Sequence, residues 1–409
     1  MTNDLSEYLP PMLFGNELVD ELIILPEYEP SIREMDAATR LLKLSDINKI
    51  FIPNQMVMEI YYKIYAMAKM SIERKGSIRA VKLLNANHMG KLDDYLGVAT
   101  GMTAATCLGI SGIGKTTSVQ AAIRLLGNVI EVENPYRKII PVLLVTTPFN
   151  SSFRSLCSQI LARVDECLGT NYYEKSLKST MNAEQVLQLV CSVANLYIGL
   201  LIIDEIQMIV QTRSGASLYR MVLQLINSAN INVLMCGTPE CIPFFEQNPQ
   251  MARRTVGLNY GPMEYDGFFK EFCGIICSYQ YVQKEFVLTD MLMNWLYEHS
   301  AGTSGTLVAL IHDSQELAII NGIEEISLTT LNMAYENRLK MLHTYISPFV
   351  EKHKPSAKPK VKAIATDQSD VALGSEYLTI PHMVQMAKKQ EVDAISRLKE
   401  QIQVVEVLL

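Results

Sequence analysis

Three glycines, a lysine and two threonines stand in the run Gly109-Ile110-Ser111-Gly112-Ile113-Gly114-Lys115-Thr116-Thr117, which fits G-x-x-x-x-G-K-[ST] with Thr116 at the last position. At this spacing the backbone N–H groups of a loop converge on phosphate oxygens, and the lysine reaches the β- and γ-phosphates. The threonine hydroxyl is left for a divalent cation. The surroundings agree with that chemistry. Ala104–Leu108 is a short apolar run suited to a strand, and Thr117–Leu126 reads as a helix. A strand, a loop and a helix in that order is the context the motif needs. All nine residues are therefore read as nucleotide-binding.

A second group follows in Leu200-Leu201-Ile202-Ile203-Asp204-Glu205, an apolar strand ending in two acids. Such acids fall at the carboxyl edge of a parallel sheet, where a phosphate loop also lies. Asp204 suits Mg²⁺, held through its water shell with Thr116 as a hydroxyl ligand. Glu205 is placed to orient and deprotonate a water for attack on the γ-phosphate, so the expected reaction is hydrolysis of ATP. The next apolar run, Asn232–Cys236, leads into Gly237-Thr238-Pro239. Thr238 is a candidate sensor of the γ-phosphate, with a turn or helix-capping role before Pro239 as the plain alternative. Arg253 and Arg254 follow a short helix-like stretch, Pro239–Gln247. They are candidates to reach a neighbouring subunit's nucleotide and neutralise transition-state charge.

These groups need a sheet to hold them. Unbroken apolar runs at Ile139–Val145, Gly199–Ile203 and Ile231–Cys236 imply strands covered on both faces, hence a parallel α/β sheet with helices between. Residues 31–100 read as a helical extension with a strong segment at Gln55–Lys75. Residues 101–261 read as the α/β core and 262–345 as a helical lid. A basic, proline-containing linker at Lys352–Lys362 precedes an amphipathic stretch, Ile380–Leu409, suited to binding a partner.

With 49% hydrophobic and 19% charged residues the chain can build an ordinary core. No 18-residue apolar run and no basic, apolar leader is found, so a cytoplasmic location is expected, with no membrane contact. The eight cysteines are scattered, and Cys273 and Cys277 lack a matching pair for zinc, so reduced thiols are expected. The net charge of −7 belongs to one end. Residues 1–30 hold seven acids and no Lys or Arg, which leaves 36 acidic against 36 basic side chains in the rest. Leu18, Ile23, Ile24, Leu25 and Tyr28 inside that acidic leader suggest a docking arm for a protein.

The loop, Asp204-Glu205, Thr238 and Arg253/Arg254, in that order, resemble the AAA+ ATPases. More narrowly the chain is similar to the TnsC family, ATP-dependent regulators of transposons of the TnsABC type, and to its TniB and IstB relatives. The likeness rests on Leu168–Tyr172, on Gly199–Gln207 (GLLIIDEIQ), on Arg213-Ser214-Gly215, on Met235–Pro239 and on Ala252-Arg253-Arg254. It covers roughly residues 105–260. A weaker likeness lies upstream, in Asn16-Glu17-Leu18 and Leu25-Pro26.

The resemblance implies an ATP-dependent ring or filament around duplex DNA. It would sit between a target selector (TnsD- or TniQ-like, sometimes CRISPR-associated) and TnsA/TnsB-like transposase subunits, with hydrolysis driving disassembly. One departure is the lid segment Gly302-Thr303-Ser304-Gly305-Thr306, which lacks the arginine many such proteins place there. For sequence-independent DNA contact the candidates are Asn150, Ser151 and Arg154 at a loop and helix start, with Lys175 and Lys178 beyond. Two other readings are a nucleotide-switched signalling scaffold that needs no DNA, and a helicase-loading ATPase like the IstB-related loaders.

Overall fold

The computed structural model describes residues 5–75, 104–133, 136–148, 152–177, 181–210, 215–229, 231–246 and 257–346. The basic linker and the stretch 380–409 lie outside the described residues.

Among the described residues, the N-terminal region gives the α-helices α1 (Asn16–Leu22), α2 (Ala37–Leu44) and α3 (Gln55–Lys75). α2 starts where the Asp36 carboxylate accepts from the Thr39 N–H at 3.1 Å and its hydroxyl at 2.6 Å. α3 starts where the Asn54 side chain accepts from the Val57 N–H at 3.0 Å. Both satisfy donors that a helix N-terminus leaves open.

The central part alternates as the sequence predicts. β1 (Ala104–Gly109) leads to α4 (Lys115–Leu126). β2 (Ile130–Glu133) and β3 (Tyr136–Thr146) are followed by α5 (Phe153–Leu168), α6 (Tyr172–Ser176) and α7 (Ala183–Tyr197). β4 (Ile198–Asp204) leads to α8 (Gln207–Val210) and α9 (Gly215–Ser228). β5 (Asn232–Gly237) leads to α10 (Ile242–Glu246), and β6 (Leu258–Tyr260) closes the sheet.

The strand order is β2-β3-β4-β5-β1-β6. β3 pairs with β4, β4 with β5, β5 with β1 and β1 with β6, all parallel, while β2 is antiparallel to β3. The sheet is thus mostly parallel rather than wholly so, and β2 and β6 extend it beyond the strands read from the sequence. Alternation is absent from β4 because both faces are covered. Leu201 and Ile203 join the core under α5, α7 and α9, whereas Leu200 and Ile202 face α3 and α4.

A helical lid follows, made of α11 (Gly267–Ser278), α12 (Asp290–Ser300), α13 (Ser304–Ile320) and α14 (Leu328–Asn337). Its core holds Phe269, Ile276, Leu296, Leu310 and Leu331, together with Leu44, Ile47 and Ile50 from the N-terminal region. The N-terminal extension therefore divides: α1 and α3 pack on the sheet, and α2 packs on the lid. Leu18, expected as an anchor for a partner, is fully buried with Leu22 against α3. Tyr28 packs on the lid through Tyr279 and Tyr281. Ile24 and Leu25 are exposed, as are Tyr8, Met12 and Phe14 earlier in the leader.

Candidate nucleotide site

The sheet brings three strand ends together. β5 lies between β1, which carries the phosphate loop, and β4, which carries the acids. The carboxyl ends of these strands form one edge, and a ligand there meets groups from all three.

Gly109 ends β1 under tight packing, since a Cβ there would lie 2.6 Å from Ile113 Cδ1 and 2.9 Å from the Tyr260 carbonyl. Gly112 and Gly114 hold φ of +83° and +91°, which side chains with a Cβ rarely adopt. Ile113 is buried and pins the loop to the core. α4 opens at Lys115, two residues before the start read from the sequence, so Lys115 and Thr116 sit in its first turn. A helix N-terminus fed by a glycine loop favours phosphate by its free N–H groups and its dipole.

Lys115 Nζ donates to the carbonyls of Gly109 at 2.6 Å and Ile110 at 2.8 Å. The Thr116 hydroxyl donates to Asp204 Oδ2 at 2.7 Å. Asp204 is buried, and its backbone carbonyl accepts from both the N–H and the hydroxyl of Thr147 at 2.9 Å. Those bonds fix β4 against the end of β3. The Glu205 N–H donates to Asp204 Oδ1 at 2.9 Å. Glu205 itself has φ of +58° and an exposed side chain. A non-glycine residue held there marks a backbone over-determined by its surroundings.

The surroundings are visible in the next two residues. Ile206 is buried, and its N–H donates to the Cys236 carbonyl at 3.1 Å, tying the turn to β5. Gln207 reaches both ways, its Nε2 donating to Glu205 Oε2 and its Oε1 accepting from the Thr238 N–H at 3.3 Å. The motif reading assigned Gln207 no role. Its place two residues after Glu205 was the available signal. Thr238 directs its hydroxyl to the Glu240 carboxylate and precedes the turn Pro239–Cys241. Arg253 and Arg254 lie outside the described residues.

The lid meets the loop directly. At the start of α13 the Gly305 N–H donates to the Gly112 carbonyl at 2.9 Å, and Ser304 Oγ donates to the same oxygen at 3.3 Å. The segment that lacks an arginine thus touches the loop by backbone and hydroxyl. Cys236, under this edge, is a buried thiol that contact with Cys107 and burial hold well above the usual range.

ATP and Mg²⁺ fit what is present. The Thr116 hydroxyl and the Asp204 carboxylate are two hard oxygen donors placed side by side, the kind Mg²⁺ takes with several waters. Among the described residues no group of three or more His, Cys, Asp or Glu gathers to hold a metal. Lys115 carries a cation whose present partners are loop carbonyls, which phosphate oxygens can replace.

Of the expected DNA contacts, Arg154 and Lys175 are described. Both are exposed, but Arg154 spends its guanidinium on the carbonyls of Met181 at 2.8 Å and Ser176 at 3.3 Å. Lys175 lies 5.0 Å from the centre of the Tyr172 ring. Asp165 builds this turn by accepting from the Thr170 hydroxyl at 2.5 Å and from the N–H groups of Tyr172 and Tyr173 at 2.9 and 2.7 Å. Asn150, Ser151 and Lys178 lie outside the described residues. Among the described residues no helix is long and apolar enough to cross a membrane.

Residues 79–260 match the model of the family described as bacterial TniB protein. No curated protein matches the chain. Among solved structures, the Aeropyrum pernix ORC1 protein in complex with DNA is 16% identical over 68% of this chain and 68% of that one, with a TM-score of 0.42. The Aeropyrum pernix ORC2 protein in its ADP form is 13% identical over 63% and 67%, at 0.40. Cdc6p from Pyrobaculum aerophilum is 14% identical over 63% and 66%, at 0.41. These likenesses are broad and identify no residue of the site.

Proposed function

We propose that this chain, whose residues 79–260 match the TniB family model, is an AAA+ ATPase that hydrolyses ATP to regulate an assembly on target duplex DNA. In that assembly it links a target selector to a transposase, and hydrolysis releases it. The observation that carries the ATPase part is the Thr116 hydroxyl on Asp204 at 2.7 Å, with Glu205 next in the chain. The family match supports the transposition part.

In this reading the γ-phosphate end of ATP lies at the edge formed by β1, β5 and β4. The α4 N-terminus and the loop N–H groups bind the phosphates, and Lys115 moves from its carbonyl partners to the β- and γ-phosphate oxygens. Mg²⁺ supplies charge neutralisation between those phosphates when bound, and Thr116 and Asp204 would hold it. Glu205 accepts a proton from water as its oxygen bonds to the γ-phosphorus and the bond to the β–γ bridging oxygen breaks. Arg253 and Arg254 act on the nucleotide of a neighbouring subunit, so the active site is complete in a ring or filament. Asn150, Ser151, Arg154, Lys175 and Lys178 meet DNA phosphates, with Arg154 and Lys175 exchanging their present partners to do so.

The test is duplex binding and ATP turnover measured together. ATP should induce binding that is independent of DNA sequence and weakens steeply with salt, and Glu205→Gln should bind ATP, keep the DNA complex and stop turnover. ATP-dependent oligomers that ignore DNA would favour the signalling scaffold. Capture of a replicative helicase in place of a transposase would favour the loader.

A further inference from the structure

We infer that Gln207 is a positioning residue for Glu205, setting the direction of its carboxylate from the end of β5. The inference rests on the reading of Glu205 as the group that takes the proton from water.

Glu205 has an exposed side chain on a backbone at φ +58°. Its carboxylate would rotate freely without a partner, and a proton acceptor must be held within a fraction of an ångström of its working geometry. Gln207 supplies the hold. Its Nε2 donates to Glu205 Oε2, which leaves Oε1 as the acceptor for a water proton. Its own Oε1 is fixed by the Thr238 N–H, at the strand end that lies between the loop and the acids. The root of the side chain is fixed as well. Ile206 is buried and bonded to the Cys236 carbonyl, and the N–H groups of Met208 and Ile209 bond back to the carbonyls of Glu205 and Ile206. A carboxamide suits the task because it orients the carboxylate without competing for the proton. Thr238 then bears on the reaction through its backbone, while its hydroxyl serves Glu240.

Gly237 offers a second way to disturb the same contact. A Cβ there would lie 2.9 Å from Gln207 Oε1 and 2.8 Å from Ile206 Cγ1, so Gly237→Ala displaces Gln207 from the β5 side and leaves Glu205 intact.

The experiment uses the full chain with duplex DNA, and measures kcat, KM for ATP, affinity for a fluorescent ATP analogue, and thermal melting. Gln207→Ala should lower kcat about tenfold or more, within the roughly 100-fold that a 1 Å misplacement can cost, with KM and affinity within about twofold. Gly237→Ala should do the same. So should Gln207→Asn, whose carboxamide keeps its donor but loses the reach. In single-turnover assays Gln207→Ala should add nothing to the loss caused by Glu205→Gln, because both act through one carboxylate. A folded Gln207→Ala protein at full kcat overturns the inference alone, provided that Glu205→Gln is blocked. A Gln207→Ala loss fully additive to that of Glu205→Gln overturns it too. Normal turnover by Glu205→Gln overturns the assignment of the base and the inference with it.

Discussion

Arg40 and Glu324 meet as a two-pronged ion pair across 284 residues of sequence, with Nη1 and Nη2 at 2.6 and 2.7 Å from the two carboxylate oxygens. The guanidinium is 2% exposed and also donates to the carbonyls of Met35 at 3.0 Å and Tyr281 at 2.9 Å. Arg33 adds a bond to the Gln283 carbonyl at 2.9 Å. Together these bonds fasten α2 and the turn Pro30–Glu34 before it to the lid.

Breaking that pair should loosen the lid. Glu324→Gln leaves the Arg40 charge buried without its counter-ion, which costs about 3 kcal/mol at the low end for such losses. The Arg40 contact holds the Glu324 carboxyl below its usual range, against the opposing effect of burial. A carboxyl lowered in the folded state contributes stability that is complete above its unfolded value, about 4.3, and lost as pH falls through the folded value. The parent should therefore lose stability below about pH 4 more steeply than Glu324→Gln. Parallel acid titrations of the two proteins, read by thermal melting, check this.

Lys115→Ala should abolish ATP binding, because the loop loses the side-chain cation aimed at the β- and γ-phosphates. Removing the lysine also frees the carbonyls of Gly109 and Ile110, which solvent can satisfy, so folding should survive. Calorimetry with ATP and Mg²⁺ reads the loss. Tight binding by a folded variant would refute the assignment of the loop.

The leader needs a finer change than deletion. Removing residues 1–30 takes away Leu18 and Leu22, which are buried against α3, and loss of one such leucine side chain alone costs about 2–5 kcal/mol. Leu25 is 48% exposed, so Leu25→Asp should leave melting and ATP turnover unchanged. If the leader docks a protein, this variant loses recruitment by the target selector. Full selector-dependent recruitment would leave the leader as a structural strap.

Arg253 and Arg254 are expected to act between subunits. Turnover per subunit should rise with protein concentration and with DNA that templates assembly. Replacing both with alanine should lower turnover by about 10³-fold or more and spare nucleotide affinity. Mixing that variant with Lys115→Ala creates interfaces with an intact loop on one side and both arginines on the other. Activity should reappear in the mixture. No recovery in proven mixed oligomers would count against the trans-acting role.

The parts of this protein that depend on neighbours in the chain were legible from the sequence. The loop needs its glycines because of local φ and close packing, and the unbroken apolar run of β4 reflects cover on both faces. α3 runs from Gln55 to Lys75 as read, since its apolar residues recur at helical spacing and Asn54 caps it. β2 and β6 were not legible. Each is short, and each exists because a partner strand satisfies its backbone, which no local pattern announces.

Tertiary structure alone decided where side chains spend their hydrogen bonds. It sent Leu18 and Tyr28 into packing, although an acidic leader with apolar residues reads equally well as a free arm. It turned the Thr238 hydroxyl to Glu240 and brought Gln207 between Thr238 and Glu205. It joined Arg40 to Glu324, two charges whose sequence neighbours say nothing of each other. The physical reason is common to all of them. A motif encodes the backbone path over a few residues, whereas a side chain's partner depends on which distant segments the core brings within about 3 Å, the reach of a hydrogen bond.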